Sequence, residues 1–266
     1  MTDPASPERD PVTDNAPPRA LSHSRIQKYL TCPEQFRLHY VERLRPKRES
    51  VHLVFGALLH LAIAECFRSH ADPVPVFRRE WDAVREVALR YGGRDTWESL
   101  GGKGERLLRK LVEEEVPKIG RVLAVEEKFE LRASSLDQPF IGYIDVVAEI
   151  DGVRSIIDFK TSSSSYEDHE VALSDQLTAY WMADPEVRRV GFCVLVKTKE
   201  PRIEWHWAER NAGHLGDYLR KVGIVARAVE DGVFYRRPGK HCGYCDFLPV
   251  CLGDRKAAEE TLVRIE

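Results

Sequence analysis

Apolar residues recur along the chain with two different periods, and the change comes near residue 120. Before it the spacing is helical. Ser22 or Ser24 can cap a short helix carrying Ile26, Tyr29 and Leu30, and Pro33 restarts a second one through Phe36 and Tyr40. Residues 53–67 read as a mostly buried helix. Segments 76–91 and 104–119 read as two more, separated by a Gly-rich turn around Gly92-Gly93 and Gly101-Gly102. Residues 122–131, 140–150, 153–159, 190–196 and 203–207 are instead rich in β-branched and aromatic residues and read as strands. A helix over about 171–183 separates the third strand from the fourth, and a long one over about 211–230 follows the fifth. This order predicts a mixed α+β (α/β) fold, a central mixed sheet flanked by helices.

The most informative dipeptide is Asp151-Gly152, which between two strand-like runs signals a two-residue type I′ hairpin. Ile150 then pairs with Val153. Counting outward, Glu149 meets Arg154, Val147 meets Ile156, and Asp145 meets Asp158. Two carboxylates placed directly opposite have Cβ atoms about 4.5–5.5 Å apart, an arrangement that needs a proton or a cation to offset it. Strand alternation puts Lys160 on the face of Asp158, with Ile157 and Phe159 pointing the other way into a core. Apolar neighbours on both faces (Val146, Val147, Ile156, Ile157) mark a central strand rather than an exposed hairpin. Asp carboxylates bind Mg²⁺ or Mn²⁺ through oxygen, and Lys160 could orient an attacking water or stabilise a pentavalent phosphorus.

Composition narrows the setting. Of 266 residues, 40 are Lys or Arg and 43 Asp or Glu, a net charge of −3, so charge balance lends no support to nucleic-acid binding. Two basic runs, Arg43, Arg45, Lys47, Arg48 and Arg236, Arg237, Lys240, His241, could nonetheless track phosphates, and Tyr235 and Tyr244 could stack on unpaired bases. A hydrophobic share of 43% excludes a fibrous or wholly disordered chain, but residues 1–20, with Pro4, Pro7, Pro11, Pro17 and Pro18, read as a disordered tail. The apolar stretch 55–67 is too short for a membrane span, and no signal peptide is visible, so a cytoplasmic protein with no membrane partner is expected. Six unevenly spaced Cys point to metal ligation or buried thiols rather than disulfides. Cys242, Cys245 and Cys251 leave a tetrahedral site one ligand short, whereas Cys66 and Cys193 sit in apolar segments as core thiols. No Gly-x-x-x-x-Gly-Lys-Ser/Thr motif occurs, so no P-loop motor is expected in this chain.

Gly142-Tyr143-Ile144-Asp145 followed by Asp158-Phe159-Lys160-Thr161 resembles the signature of the PD-(D/E)xK nuclease superfamily in its RecB-like branch. That branch carries Gly-x-x-x-His upstream, matched by Gly56 and His60, and Gln-x-x-x-Tyr downstream, matched by Gln176 and Tyr180. The N-terminal Leu21, Ser22, Ser24, Ile26, Cys32, Pro33 pattern fits as well, so the likeness spans roughly residues 21–251. It implies a restriction-endonuclease-like core in a single domain over residues 21–266, with a helical insertion at about 71–120. Taken alone, His60 among leucines is an ordinary core histidine. The resemblance makes it a neutral imidazole ligand beside Asp145 and Asp158, with Lys160, Gln176 and Tyr180 as catalytic partners. Gln176 and Tyr180, which share a helix face, would bind the DNA backbone or hold Lys160 and water; otherwise they are plain amphipathic-helix residues. Glu126 matches a further acidic position, ranked behind these as a ligand.

The same resemblance implies that Cys32 joins Cys242, Cys245 and Cys251 around a 4Fe-4S cluster, with structural Zn²⁺ as the alternative, in a helical subregion formed by about 30–33 and 242–251. Such a closure of about 200 residues stabilises by about 5 kcal/mol in the chain-entropy model. The implied function is a Mg²⁺- or Mn²⁺-dependent DNA exonuclease acting on single-stranded or frayed ends in recombination or repair. A CRISPR-associated exonuclease in spacer acquisition is the alternative, either one with a helicase or an adaptation complex as partner. A non-catalytic DNA-end-binding scaffold is a third reading.

Overall fold

The computed structural model describes residues 20–93, 95–133, 136–184 and 186–266, so all of the expected tail except Ala20 lies outside the described residues. In chain order the elements are α1 (His23–Thr31), α2 (Pro33–Phe36), β1 (Leu44–Pro46), α3 (Val51–Ser69), α4 (Pro73–Ala83) and α5 (Trp97–Lys110). Strands β2 (Val122–Leu131), β3 (Phe140–Ile150) and β4 (Val153–Ser162) follow, then α6 (Asp168–Ala172) and α7 (Asp175–Ala183). The chain closes with β5 (Arg189–Val196), β6 (Arg202–Ala208), α8 (Ala212–Glu230), α9 (Leu248–Leu252), α10 (Arg255–Thr261) and β7 (Leu262–Arg264). Two compact units result. Of the described residues, one comprises those within Glu49–Leu131 and Ile141–Leu219, the other those within 20–48, Arg132–Phe140 and Arg220–Glu266.

The first unit is a five-stranded sheet in the order β2-β3-β4-β5-β6. Asp151 (φ 53°) and Gly152 (φ 74°) both take the left-handed conformation a type I′ turn requires. The β3–β4 ladder therefore has the expected register, from Ile150 opposite Val153 out to Val146 opposite Ile157. The link through α6 and α7 returns the chain parallel, Lys160 beside Val194, and β6 then pairs antiparallel with β5. The sheet is thus mixed and covered on both faces. One core packs Phe55, Leu59 and Ile63 of α3, Phe77 and Trp81 of α4, and Leu107 and Leu108 of α5 against Ile157, Phe159 and Cys193. The other packs Leu177 and Tyr180 of α7 against Ile156, Val190 and Val194.

Three helix expectations need correction. Gly101-Gly102 is no turn but lies inside α5, which Thr96 starts with a capping box. A Cβ at Gly104 would fall 2.4 Å from Phe77 Cζ, and one at Gly101 2.9 Å from Trp81 Nε1, so these glycines admit the α4 aromatics against the α5 backbone. Helix α4 stops at Ala83 rather than 91, and 171–183 divides at Ser174, whose hydroxyl caps α7. Helix α3 spans 19 residues with mean hydropathy 1.5, long and apolar enough to cross a membrane by length and composition, unlike the shorter stretch seen in the sequence. Its Val51, Phe55 and Leu59 are fully buried in the core against the sheet, the position of a core helix.

In the second unit Ser22 caps α1, and Cys32 ends α1 and begins α2, with Pro33 in the first turn. The first basic run contributes Arg45 to β1, which pairs antiparallel with β7. Arg45 Nη1 donates to the carbonyls of His39 and Leu44, and Lys47 Nζ donates to Glu259 O at 2.6 Å. These hydrogen bonds tie Arg45 and Lys47 to backbone elsewhere in the unit.

Candidate functional site

Gly56 brings α3 close to the sheet, since a Cβ there would stand 3.3 Å from Thr161 Oγ1 on β4. One turn later α3 delivers His60, whose Nδ1 lies 3.3 Å from Asp145 Oδ2. That carboxylate oxygen also accepts the backbone N–H of Phe159 at 2.8 Å, locking Asp145 across the hairpin beside Asp158. Burial opposes a charge on His60, but the hydrogen bond to Asp145 and the charges of Asp145 and Asp158 outweigh it and raise its pKa.

The third member of this group is Glu126. A ligand atom from each of His60, Glu126 and Asp145 lies within 4.8 Å of the others. Glu126 sits at φ 52° within β2, a left-handed conformation uncommon for a residue with a Cβ, and such strain in a strand accompanies a re-aimed side chain. Burial and the charge of Asp145 push its carboxyl pKa up. Sequence reasoning ranked Glu126 behind His60, Asp145 and Asp158, because the backbone twist that aims it leaves no mark in the local residue pattern.

Asp158 lies alongside, with its side chain 3% exposed. Its Oδ1 accepts from the Tyr180 hydroxyl at 2.6 Å and from Gln176 Nε2 at 2.8 Å, and Gln176 Nε2 also donates to the Tyr180 oxygen at 2.7 Å. Its Oδ2 forms an ion pair with Lys160 Nζ at 2.6 Å. Burial and the nearby Asp145 push the Asp158 pKa up, against the pull of Lys160. Lys160 resists its own burial because Asp158 and Asp145 hold its proton, and its pKa is raised. His60 with Asp145, and Asp158 with Lys160, Gln176 and Tyr180, make contact as pairs and groups, but Asp158, expected as a ligand, is not among the three residues whose ligand atoms lie within 4.8 Å of one another, and Glu126 takes that place. Gln176 and Tyr180, however, grip Asp158 rather than Lys160. The donors are carboxylate oxygens and one imidazole, the set that suits Mg²⁺ or Mn²⁺.

Cys32, Cys242, Cys245 and Cys251 are free thiols in the second unit, while Cys66 and Cys193 are buried in the first. The N–H of Cys245 bonds the carbonyl of Cys242 at 3.2 Å, placing both in one turn. Burial raises the pKa of both Cys245 and Cys251, and the charges of Cys32 and of each other's thiolates add to it for Cys245. Cys251 feels Cys32 and Cys242 in the same way. The described residues bring three ligand atoms within 4.8 Å of one another at His60, Glu126 and Asp145 but not at these cysteines, which are near enough to influence one another yet do not form a closed ligand set. Of the second basic run, Arg236 Nη1 donates to Cys251 O at 2.9 Å and Arg237 Nη1 to Leu30 O, so both brace the backbone around these cysteines. Tyr244 is 86% exposed and Tyr235 55%.

Residues 20–252 match a family model described as the PD-(D/E)XK nuclease superfamily. No curated protein matches the sequence. Among solved structures, a Eubacterium rectale protein provisionally described as an exonuclease aligns at 12% identity and TM-score 0.54, over 85% of this chain and 87% of its own. The protein SSO0001 aligns at 14% identity and TM-score 0.37, over 73% and 84%. VC1899 from Vibrio cholerae aligns at 10% and 0.24, over 80% and 57%. The first of these likenesses supports the fold.

Proposed function

The chain belongs to the PD-(D/E)XK nuclease superfamily, and from that premise we propose that it is a Mg²⁺- or Mn²⁺-dependent deoxyribonuclease, an exonuclease acting on single-stranded or frayed DNA ends in recombination or repair. The observation that carries the reading is the convergence of His60, Glu126 and Asp145 beside the buried Asp158–Lys160 pair. An acidic group this crowded, with two carboxyl pKa values raised, is the electrostatic deficit that a divalent cation offsets. His60, Glu126 and Asp145 would hold the ion, with Asp158 next to it. There it would neutralise charge on the scissile phosphate and acidify a water.

The side chains supply the rest. Lys160, with its raised pKa, keeps its proton at working pH and serves as a charged donor to the phosphate oxygens, not as a general base. Asp158 fixes the Lys160 ammonium, and Gln176 and Tyr180 fix Asp158. Hydrolysis adds the water oxygen to phosphorus, breaks the bond to the leaving sugar oxygen and returns a proton to it.

The four cysteines are proposed to hold a 4Fe-4S cluster, which would tie the start of the second unit to its end; the support is the donor chemistry of four free thiols in one unit, Cys242 and Cys245 in a single turn, and their sulfurs would have to draw together to hold it. Incubation with Mn²⁺ and two labelled single strands, a linear one with a 5′ label and a circular one with an internal label, tests the function. Loss of the linear strand with the circle intact is expected. Equal cutting of the circle would replace exonuclease by endonuclease, and inertness towards both would remove the nuclease reading.

A further inference from the structure

Lys197 follows β5 directly, and its backbone N–H bonds Ser162 O at 2.8 Å, where β4 ends two residues beyond Lys160. The side chain runs over the buried Phe55 ring, with Nζ 5.6 Å from its centre, and reaches His52 Nδ1 at 3.4 Å. An ammonium has no acceptor, so it must donate here, and His52 Nδ1 accepts. The other ring nitrogen, Nε2, then faces Asp95 Oδ2 at 3.7 Å. Asp95 is itself taken by Lys103, Oδ1 to Nζ at 2.7 Å. The cluster thus holds two lysines against one carboxylate. No carboxylate oxygen lies within ion-pair distance of the half-buried Lys197 ammonium among the described residues, and two of its three N–H donors have no protein acceptor there. Lys110 and residues of the stretch from Thr198 to Arg202, which follows Lys197 in sequence, line a cavity whose charge is also net positive.

His52 and His60 stand eight residues apart on α3, about 12 Å along the axis. We propose that Lys197, oriented by His52, binds a backbone phosphate of the nucleic-acid strand a short way along it from the bond cut at the carboxylate site. The inference rests on the nuclease reading and supplies the second point that a strand needs to lie in a defined direction across that site. The strand is the occupant because the site offers donors and positive charge at a distance set by one helix, and no apolar pocket for a small ligand.

The test is binding of a 5′-fluorescein 12-nucleotide single strand in EDTA across a salt series. Each neutralised phosphate contributes a slope of about −0.7 in log K against log salt for single strands. Lys197→Gln should lower affinity several-fold and flatten the slope by about that amount, and Lys197→Arg should restore both. Asp95→Asn, which removes the competing charge, should tighten binding, an outcome that loss of structure would not give. An unchanged slope in Lys197→Gln, no rescue by Arg, weaker binding by Asp95→Asn, or no binding by wild type would each overturn the proposal. The absence of metal keeps the two readings apart. A wild type that binds with the expected slope but never cuts removes the nuclease reading and leaves the phosphate site, and cutting with an unaltered Lys197→Gln slope does the reverse.

Discussion

Tyr180→Phe removes the hydroxyl that donates to Asp158 and accepts from Gln176. The Tyr180 ring is buried at 6% exposure, and Phe fills the same volume, so core packing persists while the hydroxyl is lost. That hydroxyl donates to Asp158 Oδ1 at 2.6 Å, and burial together with the charge of Asp158 keeps it protonated at any working pH. Gln176 remains as a donor to Asp158 Oδ1. A hydrogen bond to a charged group is worth about 1.5–3 kcal/mol, or roughly 10- to 100-fold in an equilibrium. Because the bond favours the ionised carboxylate, its loss moves the already raised Asp158 pKa further up. The variant should therefore lose about ten-fold or more in kcat/KM on the acidic side of the Mn²⁺-dependent pH profile, with its acid limb displaced to higher pH and the deficit shrinking as pH rises. The assay is kcat/KM on a labelled single strand against pH, with a thermal melt to show that the fold holds. A profile that superimposes on wild type, or a deficit equal at every pH, would refute the assignment of Tyr180 to the ionisation of Asp158.

Further outcomes follow from other parts of the structure. Gly104→Ala should lower the melting temperature by the equivalent of about 1–3 kcal/mol, because its Cβ meets Phe77, whereas Gly102→Ala, with only the end of Arg106 at 3.4 Å, should raise it by up to about 1 kcal/mol of helix propensity. His39 has a pKa depressed from 6.5 to about 3 by burial and by Lys28, Arg45 and Arg25. The unfolded chain binds a proton that the folded one refuses, so stability falls as pH drops from about 6.5 towards 3, and His39→Gln should flatten that dependence in melts across the range. Cys32→Ser should abolish absorbance near 400 nm in anaerobically purified protein and lower its melting temperature; a colourless, zinc-loaded wild type would replace the cluster by zinc.

What could be seen in the residue order was local chemistry. Asp151-Gly152 sets its turn and the turn sets the register, so the placement of Asp158 and Lys160 could be counted without coordinates. Gly56 and His60 share a helix face for an equally local reason. Glycine carries two meanings, however, and Gly101 was taken as punctuation when it serves as a contact point for Trp81, a residue twenty positions away. The pairing of β1 with β7 joins residues over two hundred positions apart, which no window of sequence contains. Likewise Lys47 and Arg236 looked available for phosphate because their carbonyl acceptors, Glu259 and Cys251, come from elsewhere in the chain. Glu126 was undervalued for a conformational reason, since its left-handed φ follows from the surrounding sheet.

Cleavage of an end-labelled single strand by wild type and by Asp145→Asn, with Mn²⁺ and with EDTA, tests the centre of this reading most directly. Asp145 is the residue that touches His60, belongs to the group with Glu126 and is anchored by Phe159 N–H. Wild type should cut only with Mn²⁺, and Asp145→Asn should not cut while melting as a folded protein. Cutting by the variant at the wild-type rate, or by wild type undiminished in EDTA, would contradict a metal-assisted phosphodiesterase at this site.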